Sequence, residues 1–108
     1  MQIFDDLIHS YVATDLDSAV VEVWYQDNAP SAETLSALAE RIGTTFLAGQ
    51  IDFAVANGLL NQLMPLAGFD SAPKRFWQYY VAFEDSETSH SPDQDARSAV
   101  AALARDAA

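Results

Sequence analysis

A chain of 108 residues with 16 acidic and five basic side chains carries a formal charge of -11, which repels nucleic acid and anionic lipid surfaces and attracts basic ones. Half of the residues are apolar, and two Trp, four Tyr and six Phe are among them, too much hydrophobic material for a disordered acidic tail, so the acids decorate a single packed helical domain spanning 1–108. The absence of cysteine excludes disulfides and thiolate metal sites, and the expected location is a reducing cytoplasm.

The charge is lopsided. No Lys or Arg precedes Arg41, whereas Asp5, Asp6, Asp15, Asp17, Glu22, Asp27, Glu33 and Glu40 all fall in that stretch. The start, Met1-Gln2-Ile3-Phe4-Asp5-Asp6, has neither the basic region nor the apolar run of a secretory signal, so no export is expected. The longest uncharged window, Phe53 to Phe69, contains Asn57, Gly58, Asn61, Gln62, Pro65 and Gly68. It is too polar and too interrupted to span a bilayer.

Ile3, Phe4, Leu7, Ile8, Tyr11 and Val12 recur at the spacing that lays an apolar stripe on a first helix, with Asp5, Asp6 and Ser10 opposite. Thr14 is the expected N-cap of a second helix, with Asp15 and Asp17 at its positive end and Leu16, Ala19, Val20, Val23 and Trp24 as its stripe. The β-branched and aromatic run Val20 to Tyr25 would also suit a strand near 19–25. Asn28-Ala29-Pro30 breaks the pattern, and Ser31 caps a third helix with Leu35, Leu38, Ala39, Ile42 and Phe46 on one face, ending near Ala48.

Gly49 suits the left-handed position after that helix, and Ile51-Asp52 reads as an apolar residue and N-cap opening a fourth, striped by Phe53, Ala56, Leu60, Leu63 and Met64. Pro65 cannot be followed far by regular helix, and Gly68 closes it. Gly58 inside this helix costs stability relative to alanine and implies close approach by another helix; Asn57 and Asn61, one turn apart, are expected to hydrogen-bond either a neighbour's backbone or a partner chain.

After Pro73, the residues Phe76, Trp77, Tyr80, Val81 and Glu84 follow helical spacing, while Trp77, Tyr79, Val81 and Phe83 would share one side of a strand near 76–83. Five aromatics in eight residues exceed what one helical face buries, so Trp77 is expected at the border and Tyr79 outside, as a contact surface. Residues 85–91 read as a loop. Ser91-Pro92-Asp93-Gln94 then resembles a capping box before Ala96, Ala99, Val100 and Leu103. The expected fold class is therefore all-α, a compact bundle of five to six short helices, with an α+β fold as the alternative.

The residues that might carry chemistry do not assemble into a catalytic pattern. His9 and His90 stand alone, without zinc-ligand spacing. Asp15-x-Asp17 and Asp93-x-Asp95 sit at expected helix starts and lack the glycine turn and distal glutamate of a calcium loop. No serine lies in a nucleophile elbow, and the glycines are too dispersed to cradle phosphate. Neither catalysis, a metal nor a cofactor is expected. Lys74 and Arg75 stand at a helix N-terminus, where the dipole disfavours them, so they are expected to pair with Asp70 or with carboxylates across the fold.

The function that fits is a binding inhibitor, an acidic domain that caps a basic protein such as the substrate face of a nuclease toxin, using Asp5, Asp6, Asp15, Asp17, Glu22 and Asp27 in place of phosphates and Trp77 and Tyr79 as aromatic contacts. The alternative is a helical adaptor or self-associating domain that uses the aromatic surface, its acids serving solubility. The junction Phe46-Leu47-Ala48-Gly49-Gln50-Ile51-Asp52-Phe53, eight of 108 residues, resembles the helix, glycine turn and following helix start of small helical bacterial immunity proteins of the colicin D kind. That resemblance implies a stoichiometric inhibitor of a ribonuclease-like toxin, bound mainly through acidic side chains.

Overall fold

Helical stripes become six helices. In the computed structural model, which describes residues 2–107 and the side chains of all but the last of these, they are α1 (Gln2–Ala13), α2 (Ser18–Asn28), α3 (Ala32–Leu47), α4 (Phe53–Ala67), α5 (Lys74–Ser86) and α6 (Pro92–Ala107). No strand occurs among the described residues, so the bundle is all-α, and both stretches that might have been strands lie within α2 and α5. Tertiary burial overrides β-propensity in each.

Several boundaries rest on the expected cap chemistry. Ser31 accepts a hydrogen bond from the Thr34 amide, and Asp52 accepts one from the Val55 amide. Gly49 and Gly68 take positive φ at the ends of α3 and α4, where a side chain would be strained. Pro65 lies in the last turn of α4, where it removes the amide donor to the Asn61 carbonyl, and the helix ends two residues later.

The start of α2 departs from expectation. Thr14 is not its N-cap; the Thr14 hydroxyl donates back to the Ser10 carbonyl at 2.8 Å and closes α1 instead. Asp15 and Leu16 then both adopt left-handed backbone conformations, each disfavoured by roughly 1–2 kcal/mol. Asp17 becomes the cap, accepting from the Ala19 amide at 3.0 Å. The stripe also shifts: Val21 is wholly buried, while Val23 is 56% exposed. Leu16 offsets part of the turn's cost by packing on the core.

At the centre lies α5, which packs on α3, α4 and α6. With neighbours on three sides its buried arc widens to include Phe76, Tyr79, Ala82 and Phe83. Tyr79 is therefore 1% exposed, and it faces no partner. Its ring fits the notch left by Gly43 of α3, where an added Cβ would stand 2.6 Å from a Tyr79 ring carbon. The α5 helix runs on to Ser86, further than the expected loop allowed. In place of a reciprocal Ser91–Gln94 box, the Ser89 hydroxyl donates to the Asp95 carboxylate and accepts from the Ser91 amide. The radius of gyration, 12.7 Å, is that of one packed unit of this length, for which about 13 Å is typical.

Candidate protein-binding groove

The two left-handed residues at 15 and 16 fold α2 back beside α1, and the pair also packs on α4. Trp24 fixes the spacing of this hairpin: its indole N–H donates to the Ile3 carbonyl oxygen at 3.1 Å. Between the helices runs an open groove of about 520 Å³, within the size range of binding clefts. From α2 come Val20, Val23, Trp24 and Asp27, spaced at three and four residues so that they share one face. From α1, Leu7 adds to the apolar floor, while Asp6 and Ser10, one turn apart, supply polar wall.

Asp6 and Asp27 thus carry two carboxylates to a single apolar cleft. Neither forms an ion pair among the described residues. Of the five bases, Arg41 forks onto both oxygens of Asp5, Arg75 pairs with Glu40 at 2.8 Å, and Arg97 pairs with Asp93 at 2.7 Å. Asp15, Asp17, Glu22 and Glu33 are likewise exposed and free of ion pairs among the described residues. Asp27 also stands in the last turn of α2, where the helix dipole opposes negative charge and no base follows.

The other sequence-predicted residues disperse. Asp5 turns toward α3 and its Arg41, in a shallow hollow shared with His9, Thr45 and Gln50. Asp15 lies in the tight linker, and Asp17 is engaged as a cap. Glu22 is exposed on α2 but does not line the groove. Trp77 is half-buried, in edge and tilted contact with Tyr80 and Phe69 at centroid separations of 5.5 and 6.2 Å. Phe69, unremarked in the sequence, is 51% exposed. The signal was its place beside Gly68, at a helix end that cannot cover it.

Arg75 does pair across the fold, but its role is structural. Besides Glu40 it donates to Gln78, to the Tyr79 hydroxyl and to the Leu103 carbonyl at 2.8 Å, joining α3, α5 and α6. Burial raises the Tyr79 hydroxyl pKa, and Arg75 partly offsets this by favouring the phenolate. At the far end of α5, Asn57 and Asn61 of α4 both donate to the Glu87 carboxylate, a side chain and not the backbone expected for them. Beside it, Glu84 has its carboxyl pKa raised, first by desolvation and then by repulsion from Glu87.

His9 and His90 do not meet, and among the described residues no group of three or more His, Asp or Glu side chains is arranged to hold a metal ion. No helix among them is long and apolar enough to cross a membrane. Comparison of the chain with family models, with curated proteins and with solved structures found no match.

Proposed function

We propose that this protein is an acidic binding module that caps a basic protein, acting as a stoichiometric inhibitor of the nuclease-toxin class in a bacterial cytoplasm. The observation that carries the reading is the ion-pair census. The three paired bases neutralise Asp5, Glu40 and Asp93, leaving Asp6, Asp15, Asp17, Glu22, Asp27 and Glu33 exposed without a cation among the described residues. Unpaired carboxylates steer a cationic partner, and Asp6 and Asp27, brought to one groove, stand in for the phosphates of its substrate. The resemblance of residues 46–53 to immunity proteins of the colicin D kind points the same way. On this reading the chain performs no chemistry; it inhibits by occupancy.

Co-purification from the native host at low salt tests it. A basic protein retained at one-to-one stoichiometry, released by raising the salt and inhibited while bound, supports the capping reading. A second reading rests on the exposed Phe69 beside Trp77 and Tyr80: an adaptor that uses this aromatic surface. Recovery of a neutral or acidic partner, insensitive to salt and lost on Phe69→Ser, favours that instead.

A further inference from the structure

We infer that the groove between α1 and α2 is the seat of this interaction and that its occupant is a basic amphipathic helix of the partner, with apolar side chains against Val20, Val23 and Trp24 and a Lys or Arg on each flank meeting Asp6 and Asp27. The inference rests on the capping reading and adds to it a place and a binding mode.

Three observations converge on this occupant. The first is charge complementarity: the groove carries a carboxylate from each of its two helices, neither paired with a cation among the described residues. The net charge of -11 also disfavours a second copy of this chain as occupant. The second is the floor. Val23 is 56% exposed in mid-helix, and together with the half-buried Val20 and Trp24 it makes an apolar strip that cationic contact alone would not desolvate. The third concerns binding mode. Both walls are helices whose backbone groups are engaged within them, so no strand edge is open for β-augmentation, and side chains projecting from a helix are the complementary form.

Asp27 strengthens the case because its own helix gains nothing from it. A carboxylate in the last turn faces the negative end of the dipole, and an incoming cation removes that repulsion.

The test uses the full chain carrying Trp77→Phe, so that Trp24 is the one tryptophan and its emission reports on the groove. Three synthetic peptides of about 15 residues, long enough to match α2 in helical form, serve as probes: a leucine-lysine amphipathic helix, an oligolysine of equal charge, and a leucine-glutamate helix. In about 50 mM salt, where screening is moderate, the leucine-lysine helix should bind at least about tenfold more tightly than oligolysine and shift Trp24 emission to the blue. Asp6→Asn with Asp27→Asn should weaken it about tenfold, the uncharged Val23→Ser should also weaken it about tenfold, and Glu22→Gln should change it less than about threefold.

Equal binding of oligolysine, with Glu22→Gln as damaging as Asp6→Asn and Asp27→Asn together, removes the groove while leaving the capping reading intact. Failure of both cationic peptides to bind removes both. Equal binding of the leucine-glutamate helix overturns the rim's role and identifies a purely apolar cleft.

Discussion

The indole N–H of Trp24 donates to the carbonyl oxygen of Ile3 across 3.1 Å, tying the second helix of the chain to the first turn of the first. That bond holds the walls of the acidic groove at a fixed separation. Trp24→Phe keeps most of the apolar floor but removes the donor, and should cost about 1 kcal/mol, the usual net worth of one hydrogen bond. Urea denaturation measures it; an unchanged midpoint would mean the bond does not hold the hairpin.

Gly43 and Gly58 both accommodate a tyrosine from a neighbouring helix, but not equivalently. A Cβ at Gly43 would meet the Tyr79 ring at 2.6 Å and the Val100 side chain at 3.1 Å, whereas one at Gly58 would meet chiefly the Tyr11 hydroxyl, the far end of its side chain. Gly43→Ala should therefore destabilise by about 1–3 kcal/mol through overpacking. Gly58→Ala should cost less than Gly43→Ala, because only the hydroxyl end of Tyr11 must shift and the roughly 1 kcal/mol gain in helix propensity offsets part of that strain. Thermal unfolding of the two variants compares them directly.

Arg75 joins three helices through Glu40, Tyr79 and Leu103. Its side chain is only 20% exposed, so Arg75→Met should cost about 2 kcal/mol, in the range of charge-assisted hydrogen bonds. Arg75→Lys should restore only part of this, because an ammonium cannot span the guanidinium's partners. Equal stability of the Lys variant and the wild type in denaturant titrations would reduce Arg75 to a simple charge.

Glu84 makes stability depend on pH with the opposite sign to a salt-bridged carboxylate. Desolvation and the neighbouring Glu87 raise its folded-state pKa, so the folded protein binds the proton more tightly than the unfolded chain. Its contribution is then favourable below the ordinary carboxyl pKa and is lost as pH rises through the raised one. Glu84→Gln should raise the melting temperature at neutral pH, and the gain should vanish below the carboxyl titration range. A gain that persisted in acid would have another origin.

Much of the fold was legible in the sequence, because caps and breakers act locally. Ser31, Asp52, Gly49 and Gly68 marked helix ends through their own backbone and side-chain chemistry. What was not legible depended on neighbours. Asp15 and Leu16 take left-handed conformations only because the hairpin requires them, and this moved the cap of α2 from Thr14 to Asp17. Val21 and Val23 exchanged places because α2 has apolar residues on more than one side, and the strip that packs inward is chosen by α4 and the rest of the core. Tyr79 is buried and not outside because α5 packs on three helices, which the aromatic content of one segment does not reveal, and Gly43 in the middle of α3 makes room for its ring. Of the predicted binding residues, only Asp6 and Asp27 converge on one cleft, since adjacent Asp5 and Asp6 lie on different sides of α1.

The association rate of the co-purified basic protein across a range of salt, for the wild type and for a variant with Asp6, Glu22 and Asp27 all changed to lysine, tests the role of charge directly. None of these three is a helix cap or an ion-pair member among the described residues, and lysine at 27 suits the negative end of α2, so folding stability should not fall. Electrostatic steering predicts a wild-type rate that falls steeply with salt and a variant rate slower by about tenfold or more at low salt. Rates that are equal for the two proteins and flat in salt would contradict it.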